Sequence, residues 1–202
     1  MNMEDLEIIS IGEEVPTFKI DTFNPQTKKF GSFNFNPKKN NKNWTVLVFY
    51  PADFTFVCPT ELADFGDKYN ELKKLNVDLV SVSTDTKFVH MAWQRTERLL
   101  KDIKFEMGAH PTSHLAQMFN VYDYEEGNAL RGTFIINPQG VLLSSEVNAT
   151  NVGRDADELT RKVKAYIYVS EHPGEACPAK WHEKGKTLKP SEKLVGNVFS
   201  SL

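Results

Sequence analysis

WTVLVFYPADFTFVCPTEL, residues 44–62, changes character halfway along. Its first seven residues form a short, almost continuous apolar run, which suits a strand covered on both faces. VDLVSVS, residues 77–83, repeats that character. Between the two runs Pro59 suits the first turn of a helix, and Leu62, Phe65, Tyr69, Leu72 and Leu75 recur at three- and four-residue steps. Strand, helix and strand at this length predict a right-handed parallel unit. Cys58 lies at the junction, past the strand and in front of Pro59, whereas a thiol kept for packing alone would sit more naturally inside the apolar run.

Outward from this unit, residues 87–100 predict a second helix and residues 113–120 a shorter one. LRGTFIIN and VLLSSEV flank Pro138-Gln139-Gly140 and read as an antiparallel hairpin, followed by an amphipathic helix carrying Leu159, Val163, Tyr166 and Ile167. The order βαβα…ββα implies an α/β protein: a central mixed β-sheet flanked by helices, the arrangement of a thioredoxin-like fold. After Ser170 the periodicity fails. Prolines at 173, 178 and 190 and many charges predict an irregular C-terminal arm, residues 171–202, behind one domain of residues 1–170. Cys177 is in that arm.

The chain has 202 residues, 40% of them hydrophobic, enough for one well-buried domain and too few for two large ones. A net charge of −3 offers no field to recruit nucleic acid or an anionic membrane. The basic cluster NPKKNNKNW, residues 36–44, reads as a solvated loop. No secretory or membrane-spanning segment is recognisable, so a soluble cytoplasmic protein is expected, and the NAT sequon at Asn148 is read as chance. The two cysteines, Cys58 and Cys177, are too few for a structural zinc site and too distant in sequence for a CxxC pair. In a cytosolic protein such a pair is catalytic or incidental before it is a static disulfide. His110 and His114 are four apart, but Pro111 disturbs the helix that such a metal site needs, and no HExxH glutamate accompanies them.

A position between the C-terminal end of a central strand and a helix N-terminus is where open α/β sheets place ligands and where unpaired N–H groups favour an anion. A thiolate is such an anion, and helix N-termini and nearby cations lower thiol pKa values from about 8.5. Thr55 is close enough on a turn path to aim its hydroxyl at the sulfur or at an atom bound to it. Pro51 has no N–H and can cover the sulfur without competing for hydrogen bonds. The competing reading is an ordinary helix start with a chance cysteine.

PxxxTxxC, here Pro51, Thr55 and Cys58, resembles the active-site signature of the peroxiredoxins. VSVSTDTKFVHMAW, LRGTFIINPQG and HPGEACPAKW…TLKP extend the resemblance over nearly the whole chain, toward the typical two-cysteine group and its bacterial alkyl hydroperoxide reductase branch. The resemblance implies a peroxiredoxin fold and a thiol peroxidase of antioxidant defence. Cys58 matches the peroxidatic cysteine, which attacks a hydroperoxide and becomes a sulfenic acid. Thr55 matches the residue that hydrogen-bonds the peroxide, Pro51 the one that shields the sulfur, and Arg131 the arginine that stabilises developing negative charge. Glu61 matches a position that holds the arginine network, against the alternative of a solvated first-turn carboxylate. Trp93 matches a position near the site and reads equally well as core packing.

Cys177 matches the resolving cysteine, supplied in the typical group by the partner subunit, so a homodimer is the minimal unit and a decameric ring the implied assembly. The disulfide then needs an electron donor, a thioredoxin-type protein or a flavoprotein disulfide reductase. No flavin, haem or metal motif is recognisable, so no cofactor is expected. His110 departs from the family, which usually has an aspartate before the proline-threonine pair. Peroxide-sensitive members carry a GGLG insertion after the tryptophan helix and a C-terminal helix with a Tyr-Phe pair. Here QRTERLLKDIKFEMGAHPT and TLKPSEKLVGNVFSSL have neither, which implies resistance to over-oxidation. Two rivals remain: an acyl-transfer enzyme, for which no histidine lies in or next to the motif, and a ring-shaped chaperone or redox-signalling protein as a second role.

Overall fold

The computed structural model describes residues 7–39 and 42–201. The chain divides into two compact units, one up to Asp155 and one from Ala156 onward. The first is built on a seven-stranded mixed sheet. Its strands are β1 (Phe18–Asn24), β2 (Lys29–Phe35), β3 (Trp44–Phe49), β4 (Val77–Ser83), β5 (Glu106–Ala109), β8 (Arg131–Ile136) and β9 (Leu142–Asn148), in the spatial order β2-β1-β5-β4-β3-β8-β9. Helices α1 (Cys58–Lys74) and α2 (Lys87–Thr96) flank it, with a short α3 (His114–Met118) and a two-residue ladder of β6 (Tyr122–Asp123) with β7 (Asn128–Ala129).

The predicted parallel unit is present as β3, α1 and β4, with Val46 opposite Leu79 and Phe49 opposite Val82. Every residue of β3 and of β8 is buried, so both faces of the sheet are covered at its centre. Phe49, Phe119 and Phe134 pack there with ring centroids 4.6–5.6 Å apart. On α1, Leu62, Phe65 and Leu72 form the buried stripe, whereas Leu75 has become the C-cap. The predicted hairpin of β8 and β9 is antiparallel, with Phe134 opposite Ser145. Gly140 closes its turn at φ +87°, and a Cβ there would lie 2.5 Å from Pro37 Cγ, so both conformation and space require glycine.

Three features differ from the sequence reading. The β1–β2 hairpin and β5 extend the sheet, with β1 antiparallel to β5 and β5 parallel to β4. The helix expected over residues 87–100 stops at Thr96. The Thr96 hydroxyl donates to the Ala92 and Trp93 carbonyls, and Glu97 turns extended and caps a separate 3-10 turn, Arg98–Leu100, by accepting from the Leu99 N–H. The helix expected over 113–120 is α3 alone, begun by Ser113 at φ 60° and followed by Asn120 at φ 53°. In the basic cluster Lys38, Lys39 and Lys42 are exposed, as a solvated loop requires, while Asn40 and Asn41 lie outside the described residues.

The second unit holds α4 (Ala156–Glu171), whose Leu159 and Val163 are buried, while Tyr166 and Ile167 are only half-buried. The arm that follows is irregular. Its order comes from a bridge between Ala176 and Leu188 and from 3-10 turns at Glu192–Leu194 and Val198–Ser201.

Candidate active site

Leaving β3, the chain runs through a tight loop into α1, and Cys58 is the first residue of that helix. Phe54 holds the left-handed conformation at φ 58°, a strained setting for an aromatic residue. Val57 at the N-cap supplies no side-chain acceptor, so the positive end of the helix dipole falls at Cys58 uncompensated by a cap. Cys58 is a free thiol with no exposed surface, and Pro51, at the start of the loop that leads to it, is buried as well. The Thr55 hydroxyl donates to the Ala52 carbonyl at 2.8 Å, which leaves its oxygen free to accept.

Arg131, the first residue of β8, reaches the sulfur from the strand that pairs with β3. Its Nη1 donates to Cys58 Sγ at 3.4 Å and to Glu61 Oε2 at 2.6 Å, while Nε and Nη2 both donate to the Thr150 carbonyl. Glu61 is 2% exposed, so it is a buried anchor rather than a solvated carboxylate. It sits one helical turn beyond Cys58, which brings both side chains to one face of α1.

Arg154 escaped the sequence reading. Its backbone N–H and Nε donate to Glu61 Oε1 at 2.9 and 2.8 Å, Nη2 donates to Oε2, and Nη1 donates to the Gly132 carbonyl and Thr133 hydroxyl. No motif marks it, since a contact across so long a stretch of chain leaves no periodicity. The arrangement has a charge consequence. Two guanidinium groups share one carboxylate, so the buried cluster carries an excess positive charge beside the sulfur. A thiolate there would complete the balance, and an oxyanion forming on a peroxide would meet fixed donors rather than water.

A second buried cluster supports the loop. Asp53 accepts from the Tyr50 hydroxyl at 2.7 Å and pairs with His90 Nδ1 at 2.7 Å, while His90 Nε2 meets the Gly108 carbonyl at 3.1 Å. The Asp53 N–H donates to Asp85 Oδ2. Burial pushes the Asp53 carboxyl up, with His90 opposing it, and burial next to Asp53 drives the Tyr50 hydroxyl well up. Trp93, 1% exposed, stacks 6.1 Å from Tyr50 and lies 6.2 Å from Phe54, so it packs the core directly behind the loop. His90 is thereby engaged away from Cys58. His110 accepts weakly from the Leu115 N–H, and burial and then His114 lower its pKa. Among the described residues no three His, Cys, Asp or Glu side chains are grouped to hold a metal ion.

Cys177 belongs to the second unit, where it is a free, half-buried thiol whose Sγ lies 3.9 Å from the Ala165 carbonyl. Burial pushes its thiol up; Arg161 opposes that and Glu175 adds to it. Alkylation proceeds through the thiolate, so a raised pKa leaves less reactive form at neutral pH. We expect the rate of Cys177 alkylation, followed by mass spectrometry, to climb with pH around a midpoint above that of a free cysteine measured in parallel. A midpoint below it would contradict the buried setting. The same shift favours the folded arm while the thiol is protonated, and that contribution is lost as pH rises through the shifted value.

A thioredoxin-like sheet with a buried free thiol at a strand-to-helix junction defines a thiol-based redox protein of the thioredoxin-like class. Residues 11–145 match the AhpC/TSA family, and the chain is 50% identical over 181 residues to the alkyl hydroperoxide reductase C of Salmonella typhimurium, covering 89% of this chain and 97% of that one. The chain belongs to the AhpC/TSA family and is a peroxiredoxin of the AhpC type. Its fold is similar to the reduced 2-Cys peroxiredoxin of Plasmodium vivax, with TM-score 0.86, 31% identity and coverage of 94% of this chain and 98% of that one. The AhpC of Enterococcus faecalis superposes with TM-score 0.78 at 37% identity, over 85% of this chain and all of that one.

Proposed function

We propose that this peroxiredoxin is a thiol peroxidase of antioxidant defence that reduces hydrogen peroxide and organic hydroperoxides at Cys58. The observation that carries the reading is the Arg131 guanidinium, aimed at once at Cys58 Sγ and at Glu61 in a buried site. The Cys58 thiolate attacks the terminal peroxide oxygen; the O–O bond breaks, the sulfur becomes a sulfenic acid, and water or an alcohol leaves. Arg131 stabilises the negative charge on the departing oxygen, Glu61 with Arg154 fixes Arg131, and Pro51 keeps water off the sulfur. Thr55, its own hydrogen directed at Ala52, offers its oxygen to the peroxide O–H. Steady-state consumption of hydroperoxide by the purified protein with a dithiol donor tests the reading; no consumption above the uncatalysed rate would refute it.

Cys177 of a second copy then resolves the sulfenic acid as a disulfide, which a thioredoxin-type protein or a flavoprotein disulfide reductase reduces. Oxidised protein is therefore expected to run as a dimer on non-reducing gels, whereas a monomeric band with both thiols blocked would place the bond within one chain. Phe54 and Phe56, in the loop before Cys58, are 58% and 94% exposed, and such apolar side chains beside the site support burial in a homodimer and further assembly into a decameric ring. We assign the peroxidase to residues 1–170 and the resolving arm to 171–202, and the protein to the cytoplasm. Among the described residues no helix is long and apolar enough to cross a membrane.

Over-oxidation is the remaining branch. Cys58 lies wholly buried in the first turn of α1, so that turn must open before a second sulfur reaches it. The described tail after α4 holds an isolated bridge and 3-10 turns and, among the described residues, no further α-helix, and the stretch after α2 has no glycine-rich insertion. We expect turnover to persist at peroxide concentrations that inactivate sensitive peroxiredoxins. Build-up of Cys58 sulfinic acid at low peroxide, ahead of the disulfide, would contradict this.

A further inference from the structure

Glu175 precedes Cys177 by two residues and is largely withdrawn from solvent, its side chain 16% exposed. The Tyr168 hydroxyl, from α4, donates to Glu175 Oε2 at 2.8 Å. Thr187 donates to the same oxygen at 2.5 Å, and Lys189 Nζ lies 3.4 Å from Oε1. Tyr168 is itself packed between His172, 3.9 Å away ring to ring, and Trp181, 5.1 Å away. One carboxylate thus joins α4 to the returning segment of the arm, beside the two hydrogen bonds that pair Ala176 with Leu188. Cys177 lies inside this closure. The charged groups around its thiol are Arg161 on α4, which is held by Glu158 and also donates to the Trp181 carbonyl, and Glu175 on its own segment.

We propose that Glu175 is the latch of the arm: it holds Cys177 in its packed place in the reduced protein, and its release gates the resolving step. The proposal rests on Cys177 being the resolving thiol. In that step the Cys177 sulfur attacks the sulfenic sulfur of Cys58; an S–S bond forms, the S–O bond breaks, and the hydroxide leaves with the thiol proton as water. Cys177 must first leave the packing against Ala165, and the hydrogen bonds to the Glu175 carboxylate are the charge-assisted ties next to it in the chain, beside those of Arg161 to the Trp181 carbonyl and of Lys164 to Glu183 further along the arm. The Glu175 charge also disfavours a thiolate in its neighbourhood. Glu175 is in this sense a positioning residue that restrains.

Glu175→Gln keeps the shape and an acceptor but removes the charge. In reduced protein we expect Cys177 alkylation at neutral pH to accelerate about tenfold, the difference between a charge-assisted and a neutral hydrogen bond, with its pH midpoint moved down. After one equivalent of hydrogen peroxide, disulfide formation followed by quenched-flow mass spectrometry is expected to quicken and the sulfinic fraction to fall. Tyr168→Phe removes one tie and leaves the charge, so it should accelerate alkylation less and move the midpoint little. Unchanged alkylation and disulfide rates in Glu175→Gln, or a slower disulfide, would overturn the latch. Cys177→Ser separates the two readings: if it still turns over with a dithiol-protein donor, the resolving role itself falls, while the alkylation experiment on reduced protein continues to judge the latch.

Discussion

Cys58→Ser is expected to lose peroxide consumption by a factor on the order of 10³ or more, because a hydroxyl in the same place offers no comparable nucleophile. Cys177→Ser is expected to behave differently. It should oxidise at Cys58 at the parent rate with the first equivalent of peroxide and then stop, since no second sulfur converts the sulfenic acid into a disulfide that a dithiol-protein donor reduces. The contrast follows from placement. Cys58 is buried at a helix start with a guanidinium hydrogen-bonded to it, whereas Cys177 is a half-buried arm thiol whose hydrogen bond goes to a carbonyl. Stopped-flow measurement of the first oxidation, beside steady-state turnover, reads the two variants apart. Turnover retained in Cys58→Ser would show that the roles are assigned wrongly.

The second large effect belongs to Glu61. Its carboxylate accepts from both Arg131 and Arg154, all three side chains being 3% exposed or less. Glu61→Ala would leave two buried cations without their anion, and breaking a buried pair in this way costs about 3–5 kcal/mol. In a protein of this size that lowers the melting temperature on the order of 10 °C. The chemistry is expected to suffer too, because Arg131 loses one of the two anchors that aim it at the sulfur. Glu61→Gln keeps an acceptor oxygen and should fall between the two. Thermal melts and single-turnover peroxide kinetics on the same variants check both statements. A Glu61→Ala protein with parent melting temperature and parent oxidation rate would show that the network does neither job.

The part of this architecture visible in the sequence is the part that repeats locally. The apolar runs of β3 and β4 and the three- and four-residue spacing on α1 were legible because burial on both faces, or on one helical stripe, writes a short-range pattern. Cys58 stood out because it breaks that pattern at a junction. The β1–β2 hairpin did not, since β2 has only Phe35 fully buried and reads as a mixed segment. β5 is four residues long and includes Gly108, where a Cβ would lie 2.6 Å from Ile20 Cδ1 and 2.8 Å from the Ser81 carbonyl; that close approach of strands is a property of the assembled sheet.

The site divides in the same way. Pro51, Thr55 and Cys58 lie within one short stretch and read together, whereas Glu61 and Arg131 enter through the family resemblance. Arg154 and the Tyr50, Asp53 and His90 cluster were missed, because each depends on elements brought together only by the fold. The Glu61–Arg154 contact has no local signal, and His90 looks in sequence like any helical histidine. In the structure its ring bridges Asp53 and the Gly108 carbonyl, tying the loop before Cys58 to β5.

The central claim is that Cys58 is the atom that meets the peroxide. Reduced protein mixed with one equivalent of hydrogen peroxide, quenched at intervals and mapped by mass spectrometry, reports it directly. The account predicts that Cys58 is lost first and fast as sulfenic acid, followed by a disulfide joining Cys58 to Cys177 of a second chain. Loss of Cys177 ahead of Cys58, or both thiols surviving while peroxide persists, would contradict it.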